Sequence, residues 1–118
     1  MWIMTSYGIL MPALRPNAAN LALPLQVRAR DKRALKHLIH DMDILELPHT
    51  KIYATPKLDY DFRLYTTHDA FAQIMADEIR GIDYAKFKPT TMFTDLHNLY
   101  NHIWSVVFMH YKDRRQTK

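Results

Sequence analysis

Apolar Leu23, Leu25, Val27 and Ala29 alternate with polar Gln26, Arg28 and Arg30, the period-two signature of a half-buried strand over 23–30. Tyr60, Phe62 and Leu64 alternate with Asp61, Arg63 and Tyr65 in the same way, predicting a strand over 60–66. A shorter strand is expected over 51–55, before the turn residues Thr55-Pro56-Lys57-Leu58-Asp59. The segment 2–11 reads as one strand of β-branched, aromatic and long apolar residues, ended by Pro12, Pro16 and Asn17. Elsewhere the period changes to that of a helix. Asp31 is placed to cap a helix over 31–43 whose stripe is Leu35, Leu38, Ile39 and Met42. Thr67 is placed to cap a second over 68–83, with Phe71, Ile74, Met75, Ile79 and Ile82 on one face. Thr94 heads a third over 95–112, with Leu96, Leu99, Tyr100, Ile103, Val107 and Tyr111 on its stripe.

The order ββαββαα predicts an α+β fold, a four-stranded antiparallel sheet with three helices packed on one face. Two strand-strand-helix halves would satisfy it. A permuted ferredoxin-like arrangement is preferred, because a strand-helix-strand-strand-helix core can be read from Leu23 to Ile82. The first strand breaks the alternation. Read as one strand, it puts Trp2, Met4 and Leu10 on one side and Ile3, Tyr7, Ile9 and Met11 on the other. A sheet covered on one side only would alternate there. Both faces are therefore expected to be covered, by the third helix or by a second subunit. Trp2, Met4 and Tyr7 are the interface candidates, and a homodimer is the expected assembly.

Composition narrows the chemistry. At 118 residues, 48% hydrophobic and 24% charged, the chain suits one domain over 1–118 with a short basic tail at 112–118. The absence of cysteine removes disulfides, zinc-thiolate sites and thiol catalysis, and fits a reducing compartment. The start of the chain lacks a basic leader, and the longest other apolar run, near Ile103 to Met109, falls short of a membrane span. A soluble, cytoplasmic protein is expected. Two glycines, Gly8 and Gly81, leave no room for a phosphate loop or a dinucleotide fingerprint. Ser6 and Ser105 lie in no glycine-flanked elbow. No catalytic residues and no cofactor are expected.

The net charge of +4 leans towards an acidic partner. Between Arg15 and Lys36 there are six basic residues against Asp31 alone. By alternation, the sheet face away from the core gathers Arg28, Arg30, Tyr53, Arg63 and Tyr65, beside Gln26 and Asp61. Guanidinium groups beside aromatic rings can pair with phosphate and stack on bases. The plainer reading of that face is a solvated surface, or one covered by a partner. Among the seven histidines, His37 and His40 are three residues apart with Asp41 adjacent, a weak metal pattern without a third ligand. Asp59 and Asp61 could serve metal-dependent hydrolysis, but Arg63 beside them makes a surface ion pair the simpler reading.

Trp2-Ile3-Met4-Thr5 with Gly8, Val27-Arg28-Ala29-Arg30, Thr55-Pro56 with Asp59-Tyr60 and Arg63, and Ile82-Asp83-Tyr84 with Phe87-Lys88 and Trp104 together span nearly the whole chain. In these short motifs the sequence resembles a family of small bacterial and bacteriophage-type proteins with no assigned activity. The resemblance implies a stand-alone domain and supplies no catalytic residues. The function expected is therefore that of a non-enzymatic interaction protein, binding a protein partner as a homodimer. The alternative is an RNA- or DNA-binding module using the tyrosine-arginine face. A metal-dependent nuclease or hydrolase is the third reading.

Overall fold

The structure, a computed structural model, describes residues 1–87 and 91–116, and side chains as far as Lys112. Lys88, Pro89 and the end of the basic tail, 117–118, lie outside the described residues, and of 113–116 only the backbone is described. The chain forms two compact units, Met1–Asp83 and Tyr84–Lys118. The first holds strands β1 (Ile3–Thr5), β2 (Gly8–Leu14), β3 (Leu25–Ala29), β4 (Tyr53–Ala54) and β5 (Phe62–Thr66), with helices α1 (Lys32–Ile44) and α2 (His68–Arg80). The second holds α3 (Thr94–Gln116). The fold is α+β, and its five strands form an antiparallel sheet in the order β1-β2-β3-β5-β4.

The expected single strand over 2–11 is instead a hairpin, which is why the sheet has five strands and not four. Ser6 and Tyr7 form its turn. The Thr5 hydroxyl accepts the Tyr7 N–H and donates to the Gly8 carbonyl, at 3.2 and 2.7 Å. The turn reverses the alternation, so Ile3 pairs with Leu10 and Met4 with Ile9. What looked like one strand apolar on both faces is two arms, each with a core-facing and an outward-facing set. Leu10 is fully buried, whereas Trp2 and Met4 are 66% and 40% exposed. Within the single chain, Trp2 and Met4 are therefore left uncovered among the described residues. Tyr7, expected at an interface, lies wholly within the core, its ring 4.1 Å from that of His37.

The core lies between the sheet and its helices. Leu10, Leu25, Val27, Ala29 and Leu64 face Leu35, Leu38 and Met42 of α1 and Phe71 and Ile74 of α2. Each strand contributes every second residue, and each helix contributes positions three and four apart. Asp31 caps α1 by accepting the Arg33 N–H at 2.9 Å, and Thr67 caps α2 by accepting the Ala70 N–H at 3.1 Å. Gly81 ends α2, so the helix stops short of the expected limit at 83. On α3 the stripe expected to be buried is partly outward: Leu99, Val107 and Tyr111 are exposed. No helix among the described residues is long and apolar enough to cross a membrane.

Gly8 has φ +145°, and a Cβ built there would lie 2.7 Å from the Ala34 Cβ of α1. Gly8→Ala therefore meets both backbone strain and a clash, and should cost about 1–3 kcal/mol in denaturant unfolding. Gly81→Ala, where φ is negative, should cost far less. His49 supplies a pH signature. Burial lowers its pKa, but bonds to the Thr50 carbonyl and the Asp43 carboxylate outweigh burial and leave it above 6.5. A raised folded-state value means stabilisation is full below the unfolded pKa and is lost as pH rises through the folded one. His49→Ala should accordingly lower the melting temperature by a few degrees at pH near 5 and by much less at pH near 9.

Candidate functional site

On β3, Leu25, Val27 and Ala29 point to the helices, which sends Gln26 and Arg28 to the opposite face. Antiparallel register then aligns that face across the sheet. Met11, Arg28, Arg63 and Tyr53 form one row, with Arg28 directly opposite Arg63. Ala13, Gln26 and Tyr65 form the row beside it. Arg30 follows the end of β3, and its guanidinium joins that of Arg28 over the ring of Tyr60, at 5.1 and 4.5 Å from the ring centre. The structure thus gathers Arg28, Arg30, Tyr53, Arg63 and Tyr65 on one side of the sheet.

Neutral groups orient these cations. Arg28 donates through Nε to the Met11 carbonyl at 3.1 Å. Arg63 donates to the Thr55 hydroxyl at 3.2 Å and to Gln26 Oε1 at 2.8 Å. Gln26 is itself held, because its amide nitrogen donates to the Leu14 carbonyl at 3.1 Å. Among the described residues, no carboxylate forms an ion pair with Arg15, Arg28, Arg30, Lys51 or Arg63. The nearby Asp61 is exposed and joins none of them.

Periodicity could not place three further members. Arg15 lies in the loop after β2, where Nη1 donates to the Leu23 carbonyl and the guanidinium sits 3.7 Å from the centre of the Tyr65 ring. Tyr60, expected inside the strand over 60–66, precedes β5 instead, and its buried ring forms the floor beneath Arg28 and Arg30. Lys51 lies 5.3 Å from the centre of the Tyr53 ring. Tyr65 is flanked by Arg15 and by Tyr53, whose ring centre is 5.6 Å away. Tyr53 is the more open ring, at 39% exposure.

The helix side of the sheet carries a second cluster. His37 and Asp41 are one turn apart on α1, with Nε2 and Oδ2 3.4 Å apart. Glu78 reaches them from α2, and one ligand atom from each of the three lies within 4.8 Å of the others. Burial raises the Glu78 pKa, Asp41 and Asp77 raise it further, and His37 opposes them. His40, expected beside His37 as a metal ligand, is exposed and outside this cluster, because it turns to the other side of His37 from Asp41, about 100° away from it around the helix. Asp59 and Asp61, both exposed, belong to no metal-sized group among the described residues. On α3, Trp104, Val107, Phe108 and Tyr111 line a shallow apolar cleft.

Comparison with protein-family models, with curated proteins and with solved structures yields no match.

Proposed function

We propose that the protein binds single-stranded nucleic acid across the face of its sheet opposite α1 and α2. The observation that carries this reading is the Arg28–Arg63 pair. Like charges directly opposite one another on neighbouring strands are unfavourable, and no carboxylate among the described residues offsets these two. Guanidinium groups oriented by neutral acceptors keep their charge available for an outside anion. A phosphate backbone supplies anions at regular intervals, and arginine forks match phosphate geometry. Tyr53 offers an open ring for a base, and Arg15 steadies the ring of Tyr65 behind it.

The topology supports the same use. Strands β2-β3-β5-β4 follow the order of a ferredoxin-like sheet whose last strand has moved to the front of the chain, with β1 added at one edge. Antiparallel sheets of this kind, covered by helices on one side, serve as RNA platforms when aromatic residues stand on the other. A separate observation favours a second reading, a protein partner or a second copy of the chain. Trp104, Val107, Phe108 and Tyr111 recur at helical spacing on α3 and are about half exposed, from 47% to 56%.

Titration with single-stranded and duplex RNA and DNA, starting near 50 mM salt, tests the main reading, because binding to phosphates makes affinity fall steeply as salt rises. Replacing both Arg28 and Arg63 with alanine should flatten the single-strand salt slope by about 1.4, roughly 0.7 for each phosphate no longer neutralised. The melting temperature should fall only modestly, because relief of the like-charge pair offsets part of the lost bonds to Met11, Thr55 and Gln26. Tyr53→Ala should cost about 1–3 kcal/mol of binding while leaving the slope nearly unchanged. Failure to bind any of the four at high micromolar protein would sink the reading. Light scattering after size exclusion then decides the second: a Phe108→Glu change should convert a dimer to monomer, and a wild-type monomer removes the self-association arm.

A further inference from the structure

His37 and Asp41 share one face of α1 because four residues bring a helix almost back to the same direction, and Glu78 enters from α2 to complete the group. All three are half-buried. Glu78 makes no hydrogen bond or ion pair among the described residues, and its partly desolvated carboxylate lies close to both the Asp41 carboxylate and the His37 imidazole. Such a carboxylate pair is unfavourable until a proton or a metal cation joins it. The imidazole is held from behind, where the wholly buried ring of Tyr7 packs against it at 4.1 Å. His37 Nε2 and the Asp41 carboxylate stand 3.4 Å apart, longer than a strong hydrogen bond, so the two ligand atoms are close without being locked to one another.

We propose that His37, Asp41 and Glu78 form a binding site for a divalent transition-metal ion of the zinc class, clamped between α1 and α2. One imidazole nitrogen and two carboxylate oxygens are a donor set that zinc accepts, whereas calcium and magnesium favour oxygen alone. Ligand atoms within 4.8 Å of one another need only small rotamer changes to close on bonds of about 2.0–2.2 Å. The site lies on the helix side of the sheet and the arginine face on the other, so the ion does not sit where it could act on a bound phosphodiester. Its effect is structural. An ion held by both helices stabilises the folded chain in proportion to its occupancy. The inference stands on its own geometry and does not depend on nucleic-acid binding.

Calorimetry and thermal melting of the full chain with zinc chloride test it, with cobalt as a spectroscopic reporter of coordination. Zinc at micromolar concentration should raise the melting temperature, and millimolar magnesium should not. Glu78→Gln should weaken zinc binding ~10-fold or more, while the metal-free melting temperature stays level or rises because the carboxylate repulsion is gone. That second readout shows the variant is folded. Asp41→Asn should behave alike, and His40→Gln, on the exposed side of α1, should leave zinc binding unchanged. No zinc effect on the wild-type chain would overturn the proposal. So would zinc binding that survives both carboxylate changes, or that is lost with His40, since either places the ion elsewhere among the histidines.

Discussion

The backbone of Gly8 approaches α1 so closely that a single carbon atom added to it would overlap Ala34. Much of the first unit follows from that approach. With nothing between them, the Thr5–Gly8 turn seats on the helix and carries Tyr7 into the core, where it lies against His37. The same turn sets β2 beside β3, so that Met11 faces Arg28 and its carbonyl takes the arginine Nε–H. The carbonyl that orients Arg28 on one side of the sheet and the tyrosine packed on His37 on the other both adjoin this close approach.

Hydrogen-bond satisfaction and charge neutralisation are separate requirements, and the arginine face meets only the first among the described residues. Arg63 is bonded to a hydroxyl and an amide, Arg28 to a carbonyl. Each bond fixes direction without cancelling charge. These bonds hold the two guanidinium groups in place, which would lower the ordering cost that long arginine side chains ordinarily impose on binding. The fold carries the remaining repulsion, a fraction of a kcal/mol to about 1 kcal/mol for one opposed pair, against a core of leucine, valine and tyrosine.

Helices were legible because two independent signals coincide: Asp31 and Thr67 stand at the cap positions just before apolar stripes at helical spacing. β3 and β5 were legible from strict alternation, and with them the shared face of Arg28, Arg63 and Tyr65. The first hairpin was not. Its turn residues, Ser6 and Tyr7, carry no glycine, asparagine or proline, and the glycine that permits the turn comes after it. Two arms of opposite phase then look like one strand apolar on both sides. Arg15 and Glu78 were beyond reach for a different reason: the first sits in a loop without period, and the second meets His37 only through helix packing. Spacing along one helix offered His40 as the partner, while the third dimension supplied a carboxylate from another.

The sheet ends in a three-residue strand on one side and a two-residue strand on the other. Edges that short leave little unpaired backbone to serve as a template for an incoming strand. Lengthening this sheet by a peptide or by a neighbouring copy would gain only a handful of main-chain hydrogen bonds. A macromolecule that binds this sheet must therefore approach it broadside and be recognised by side chains, not by backbone.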